Sequence, residues 1–118
     1  MATGRYHIIV DLVDASPEIL NDEDGLKNFL MDLTKRVDMN VLYGPVVVSG
    51  IPENPGLSGF VIIDFSHISA HTFTKHNEAQ IDIFSCKPYD QEVAQNAVLE
   101  YFKVDKSKSR IQTVCWGN

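Results

Sequence analysis

The chain has 118 residues, 44% of them hydrophobic and 22% charged, with a formal net charge of −6, which fits one soluble domain with enough apolar residues to bury a core. The acidic balance argues against a nucleic-acid partner, because phosphates would be repelled and the only basic cluster, Lys103 to Arg110, is broken up by serines and Asp105. No apolar run approaches the roughly 20 residues of a membrane span, and Met1 to Tyr6 lacks the apolar core of a signal peptide. A cytoplasmic protein with no membrane partner is expected, with Cys86 and Cys115 kept as thiols.

Residues 5 to 13, rich in β-branched side chains, read as a first, largely buried strand. A connector follows, from Asp14 to Asn21, holding Ser16-Pro17. From Asp22 the apolar residues Leu26, Phe29, Leu30, Leu33 and Val37 recur at three- and four-residue steps, predicting a helix with Asn21 as N-cap and acidic residues at its positive end. Residues 41 to 49 read as a strand bent at Gly44-Pro45, and 50 to 56, with Pro52 and Pro55, as a loop. Ser58 to Phe65 is the next strand, His67 to Glu78 a turn-rich excursion, and Ala79 to Ser85 a strand with Ile81 and Ile83 on one face and Asp82 and Phe84 on the other. A second helix starts at an Asp90 N-cap, burying Val93, Ala94, Ala97, Val98, Tyr101 and Phe102, and Ile111 to Trp116 is a last short strand.

This order, β-α-β-β-β-α-β, lacks the regular alternation of a doubly wound sheet. It predicts an α+β two-layer sandwich: a mainly antiparallel sheet with two helices on one face, forming a single domain over residues 1–118. At this size a deep active site can require a second subunit, so a homodimer is expected.

Reactive side chains concentrate between Gly56 and Cys86. Ser58 lies in a Gly-Leu-Ser-Gly turn, an apolar strand follows, and Ser66-His67, His71 and Cys86 come next. Each has an ordinary structural reading: Ser66 as a strand-end serine bonded to backbone, His71 as a turn residue, Cys86 as a small buried hydrophobe, and His67 as either a packing ring or a group orienting Ser66. Another reading gathers His67, His71, His76 and Cys86 as zinc ligands, although their spacing matches no standard zinc pattern.

Taken together, the Gly-x-Ser-Gly turn, the strand, Ser-His, a His five residues after that Ser and a Cys twenty residues after it resemble the small prokaryotic S-adenosylmethionine decarboxylases. Gly4-Arg5 and His7 before the first strand extend the likeness. The resemblance implies a self-processing proenzyme whose cofactor, a pyruvoyl group, is made from Ser66 by serinolysis of the Phe65-Ser66 bond. It implies His71 as the processing base, Ser58 as the donor to the oxyanion, and Cys86 as the proton donor in decarboxylation, a role suited to a thiol titrating near working pH. The pyruvoyl ketone would form a Schiff base with the substrate amine and act as an electron sink, in polyamine (spermidine) synthesis. Asp11 and Asp14, with His67, would meet a cationic small-molecule substrate.

Some positions depart from that pattern. Phe65 stands where the family carries Glu, and Leu12-Val13 and Pro52 stand where it places the aromatic residues that stack the adenine. These departures keep open a substrate without a nucleobase, such as arginine or ornithine, and a non-processing paralogue serving as a binding or regulatory subunit.

Overall fold

The computed structural model describes residues 2–117. Its elements run β1 (Tyr6–Leu12), α1 (Pro17–Leu20), α2 (Glu23–Arg36), β2 (Val41–Ile51), β3 (Asn54–Ile63), β4 (Ser66–Phe73), β5 (Glu78–Ser85), α3 (Gln91–Phe102), a 3-10 turn (Lys106–Lys108) and β6 (Ser109–Val114). The six strands form one sheet in the order β2-β3-β4-β5-β1-β6, and every neighbouring pair is antiparallel. The expected α+β two-layer architecture is therefore present, with one strand and one short helix more than the sequence reading gave.

Strand alternation decides which side chains meet the helices. Ile8, Val10 and Leu12 of β1, Val61 and Ile63 of β3, Ile68 and Ala70 of β4, and Ile81 and Ile83 of β5 are all buried. They pack against Leu26, Phe29, Leu30 and Leu33 of α2 and Ala94, Ala97, Val98 and Phe102 of α3. Between the helices the Phe29 ring stacks on Tyr101, with centroids 4.6 Å apart, and meets Phe102 edge-on. Gly59 belongs to this inner face because a Cβ there would press to 2.8 Å from Leu30 Cδ1. Thr72 is polar yet buried without cost: its hydroxyl donates to the Leu20 carbonyl and accepts from the Leu57 N–H, both at 2.8 Å. That hydroxyl ties α1 to the sheet.

Several expectations are corrected. The excursion assigned to 67–78 is the strand β4, paired on both sides with β3 and β5. The loop at 50–56 shrinks to Pro52 and Glu53, since β2 runs to Ile51 and β3 starts at Asn54. The connector at 14–21 contains α1, with Pro17 at its first turn. The N-cap of α2 is Asp22, not Asn21, and its carboxylate accepts from Gly25 N–H at 2.8 Å. Asp90 caps α3 as expected, accepting from Glu92 and Val93. The last strand is Ser109–Val114, so Trp116 lies beyond its end.

Candidate active site

All helices lie against one face of the sheet, which leaves the other face open. Three rows of side chains cross it. Cross-strand register sets Ile62, His67, Phe84 and His7 in one row, Phe60, Ser69, Asp82 and Ile9 in the next, and Ser58, His71, Gln80 and Asp11 in the third. Every polar residue that the strand alternation turns away from the helices therefore shares one surface.

At one end of this surface lies the turn between β3 and β4. Asp64 fastens it: its carboxylate accepts from the Asn40 backbone N–H at 3.1 Å and side-chain amide at 2.9 Å, and its own N–H donates to the Asn40 carbonyl at 2.9 Å. Those hydrogen bonds favour the ionised carboxylate and hold it below the usual aspartate range, with the Asn40 side chain the leading cause. Phe65 follows, its ring capped by Lys87 Nζ at 5.1 Å from the centroid, while that ammonium donates to the Asp38 carbonyl at 2.8 Å. Ser66 has φ of +146°, a region that side-chain-bearing residues seldom occupy. The carbonyl of Phe65 accepts a hydrogen bond from the Cys86 backbone N–H at 2.9 Å. Ser66 and Cys86 are thus neighbours, brought together because Ser66 pairs with Ser85 across the β4–β5 hairpin.

Ser58 and His71 sit together elsewhere. They oppose each other on β3 and β4, with Ser58 Oγ 2.8 Å from His71 Nδ1. Ser66 and His71 are both on β4, and five residues of extended chain at about 3.3 Å each separate them by about 16 Å. Within one chain the structure brings together Ser66 with Cys86 and Ser58 with His71, but does not join the two pairs.

His67 stacks on Phe60, centroids 5.3 Å apart, and packs at a tilt against Phe84, 5.5 Å away. Asp11 lies in the same row as His71 and approaches Arg110 Nη2 at 3.7 Å. Asp14, in the turn beyond β1 at φ +57°, forms an ion pair with Lys108 Nζ at 2.8 Å, which raises the lysine's affinity for its proton. Asp11, Val13, Phe73, Glu78, Lys108 and Arg110 line a cleft of about 370 Å³. His76 is exposed in the turn between β4 and β5, far from Cys86. Among the described residues no three of His, Cys, Asp or Glu gather into a group able to hold a metal, and the zinc grouping has no geometric support.

Sequence reasoning gave no role to Asp82 or Trp116, and used His7 only as part of a motif. His7 Nε2 is 2.9 Å from both carboxylate oxygens of Asp82. Its ring lies 5.4 Å from Phe84 and 6.1 Å from Trp116. The signal for the pair was that His7 and Asp82 stand at positions alternating with the apolar residues Ile8 and Val10 of β1 and Ile81 and Ile83 of β5; nothing local signalled Trp116.

Residues 6–113 match the family model described as S-adenosylmethionine decarboxylase. The chain belongs to that family. A relative from Thermodesulfovibrio yellowstonii, named S-adenosylmethionine decarboxylase proenzyme, is 32% identical over 99 residues, covering 82% of this chain and 70% of its own length. One of the same name from Pyrococcus abyssi is 31% identical over 110 residues, covering 87% and 73%. The crystal structure of the adenosylmethionine decarboxylase from Aquifex aeolicus matches with a TM-score of 0.79 at 21% identity, covering 97% of this chain and 91% of that one, which shows the shared fold. For a member of the S-adenosylmethionine decarboxylase family, no helix among the described residues is long and apolar enough to cross a membrane.

Proposed function

We propose that this chain is a self-processing, pyruvoyl-dependent decarboxylase of S-adenosylmethionine that serves polyamine synthesis in the cytoplasm, and that its own backbone is cut between Phe65 and Ser66. The observation carrying this reading is the state of that peptide: Ser66 at φ +146° behind a carbonyl that accepts from Cys86 N–H at 2.9 Å. The first stores strain of about 1–3 kcal/mol in the uncut backbone. The second sets a donor on the oxygen where negative charge develops once the carbonyl is attacked.

In the proposed processing, Ser66 Oγ bonds to the Phe65 carbonyl carbon and the Phe65–Ser66 C–N bond breaks, giving an ester. Loss of the Ser66 α-proton to His71 then expels the Phe65 carboxylate and leaves dehydroalanine. Water replaces its nitrogen, which departs as ammonia, and a ketone remains at the head of the second chain. Once formed, that ketone supplies an electron sink for carboxylate loss from the substrate. Cys86, next to Ser66, is the group suited to return a proton to the substrate carbon. Asp11 and Asp14 are already paired with Arg110 and Lys108, so they offer less to an arginine or ornithine side chain than the sequence implied.

The base and the scissile bond lie about 16 Å apart along β4, so this chemistry needs a second copy. Two chains packed open face to open face about a two-fold axis would bring the Ser58–His71 pair of each to the Ser66–Cys86 end of the other. Composition supports that packing: Val46, Val48, Phe60 and Ile62 cluster on the open face at 40–55% exposure, where an uncovered apolar sheet face would be costly.

Phe65 under Lys87, in place of the family's Glu, is what favours the second reading, a folded paralogue that never cuts itself. Intact-mass analysis of freshly purified protein separates the two. The enzyme yields chains 1–65 and 66–118, the second lighter than a serine-headed fragment by one ammonia, and Ser66→Ala leaves a single chain. A wild-type protein that stays whole at its full mass overturns the proposal.

A further inference from the structure

We infer that Trp116 is the residue on which the nucleobase of the substrate stacks, in a cleft at the β1–β6 edge of the sheet. This rests on the reading above that the substrate is a nucleoside joined through sulfur to an amino acid.

The two positions where the family's stacking rings would stand hold Leu12-Val13 and Pro52, yet the open face is not short of rings. Phe60, His67, Phe84, His7 and Trp116 follow one another across β3, β4, β5, β1 and the segment just past β6, with successive centroids 5.3–6.1 Å apart. Phe84 is the second support of the terminal ring, 5.2 Å away. At the open end of this series Trp116 remains 51% exposed.

Its place is fixed by more than its neighbours in the row. The Arg5 guanidinium lies 5.7 Å from the indole centroid, and Gly117, at φ +95°, wraps the stem of that arginine so closely that a Cβ would overlap Arg5 Cγ. A half-bare indole held in place by a cation and a second ring is preorganised to receive a flat π-system on the surface it leaves exposed. Beside it lies a cleft of about 410 Å³ lined by Arg5, Tyr6, His7, Gln91, Val114 and Trp116, within the range of small-ligand sites. Gln91, at the start of α3, closes the helix-side end of this cleft, its side-chain oxygen accepting from the Thr113 hydroxyl at 3.3 Å.

Distance from the chemistry agrees. Tyr6 pairs with Ser85 and His7 with Val114. Continuing those registers by one and two residues sets Arg5 between Cys86 and Trp116, two interstrand steps or about 10 Å apart. A ligand held at Ser66 and Cys86 by its amino-acid end would reach the indole with its base.

Trp116 is the sole tryptophan, so its emission reports contact directly. Titration of the full-length protein with 5′-deoxy-5′-methylthioadenosine should quench that emission saturably, whereas methionine should not. Trp116→Ala should weaken nucleoside binding by equilibrium dialysis about tenfold or more, and Trp116→Phe should restore most of it. In turnover, Trp116→Ala should raise KM by a similar factor and leave kcat within about twofold. Unaltered emission on addition of the nucleoside, or an alanine variant with wild-type affinity and KM, overturns the assignment. If decarboxylation proceeds while the emission stays unmoved, the stacking site alone fails. If the nucleoside quenches Trp116 but no decarboxylation occurs, the reading of the reaction fails and the nucleoside site stands.

Discussion

His7 and Asp82 meet across β1 and β5, with Nε2 of the imidazole 2.9 Å from both oxygens of the carboxylate. That contact assigns the Nε2 proton to the side facing Asp82 and leaves Nδ1, which is buried, with no partner among the described residues. The carboxylate thus sets how the ring stands against Phe84 and Trp116, at the edge of the candidate active site.

Asp82→Ala removes the ring's partner and is expected to cost about 1–2 kcal/mol, because a mostly buried imidazole N–H loses its acceptor. Asp82→Asn keeps one acceptor oxygen and should cost less. Urea midpoints of the three proteins measure this, and equal midpoints for Ala and wild type would show that the contact does not order the ring. The tryptophan emission maximum should shift with the alanine variant, since His7 packs within 6.1 Å of Trp116.

Ser66 is under backbone strain that glycine would not feel. Ser66→Gly should therefore be more stable than Ser66→Ala by about 1 kcal/mol, the relieved strain exceeding the extra entropy glycine adds to the unfolded chain. Neither variant carries a hydroxyl at 66, so both stay uncut and the comparison is between two whole chains. An alanine variant as stable as the glycine one would mean that the backbone relaxes once the hydroxyl is gone.

On the opposite side of the molecule, burial and then the Asp22 charge push the Tyr101 phenol up from 10.0 to about 12. The folded state thus prefers the neutral ring more than the unfolded chain does. Its contribution is complete below pH 10 and is lost as pH rises from 10 through 12. The Tyr101 hydroxyl is also buried without a hydrogen-bond partner among the described residues. Tyr101→Phe should be as stable as wild type or up to ~1 kcal/mol more so at neutral pH, and its stability should fall less steeply between pH 10 and 12. Burial raises Tyr89 as well, so part of the alkaline decline remains. Denaturant midpoints taken across that interval check both points.

The helices were legible because their signals are local. The spacing of Leu26, Phe29, Leu30 and Leu33 and the Asp90 cap depend on a few adjacent residues, and both survive in the fold. Strand β4 was missed for the converse reason. His67-Ile68-Ser69-Ala70-His71 alternates polar and apolar residues with period two, but its reactive side chains suggested an irregular, turn-rich excursion in place of a half-exposed strand. The same error hid the split of the site. On a strand a five-residue step is about 16 Å long, so Ser66 and His71 cannot meet within one chain, whereas Ser66 and Cys86, twenty positions apart, do through a hairpin. Trp116 was out of reach of any local reading, because its neighbours Arg5, His7 and Phe84 come from strands that join only in the assembled sheet.

That split gives the proposed dimer its most direct test. If each site takes Ser66 and Cys86 from one copy and Ser58 and His71 from the other, Ser66→Ala chains and His71→Ala chains should each stay whole when produced alone. Produced together with distinct affinity tags, they form mixed dimers. In such a dimer one site lacks both residues, while the other combines an intact Ser66 with an intact His71 from its partner. Half of the mixed dimers' chains, all of them carrying His71→Ala, should then be cut between Phe65 and Ser66, and the Ser66→Ala chains should not. Mass spectrometry of the doubly purified species tells the two apart. A charge placed on the open face, as in Phe60→Asp, should remove dimer and cleavage together, because it buries an unpaired carboxylate in the apolar middle of the contact. Cleavage that persists in a monomeric Phe60→Asp protein, or mixed dimers that remain entirely uncut beside a processed wild type, would require the base for Ser66 to come from its own chain.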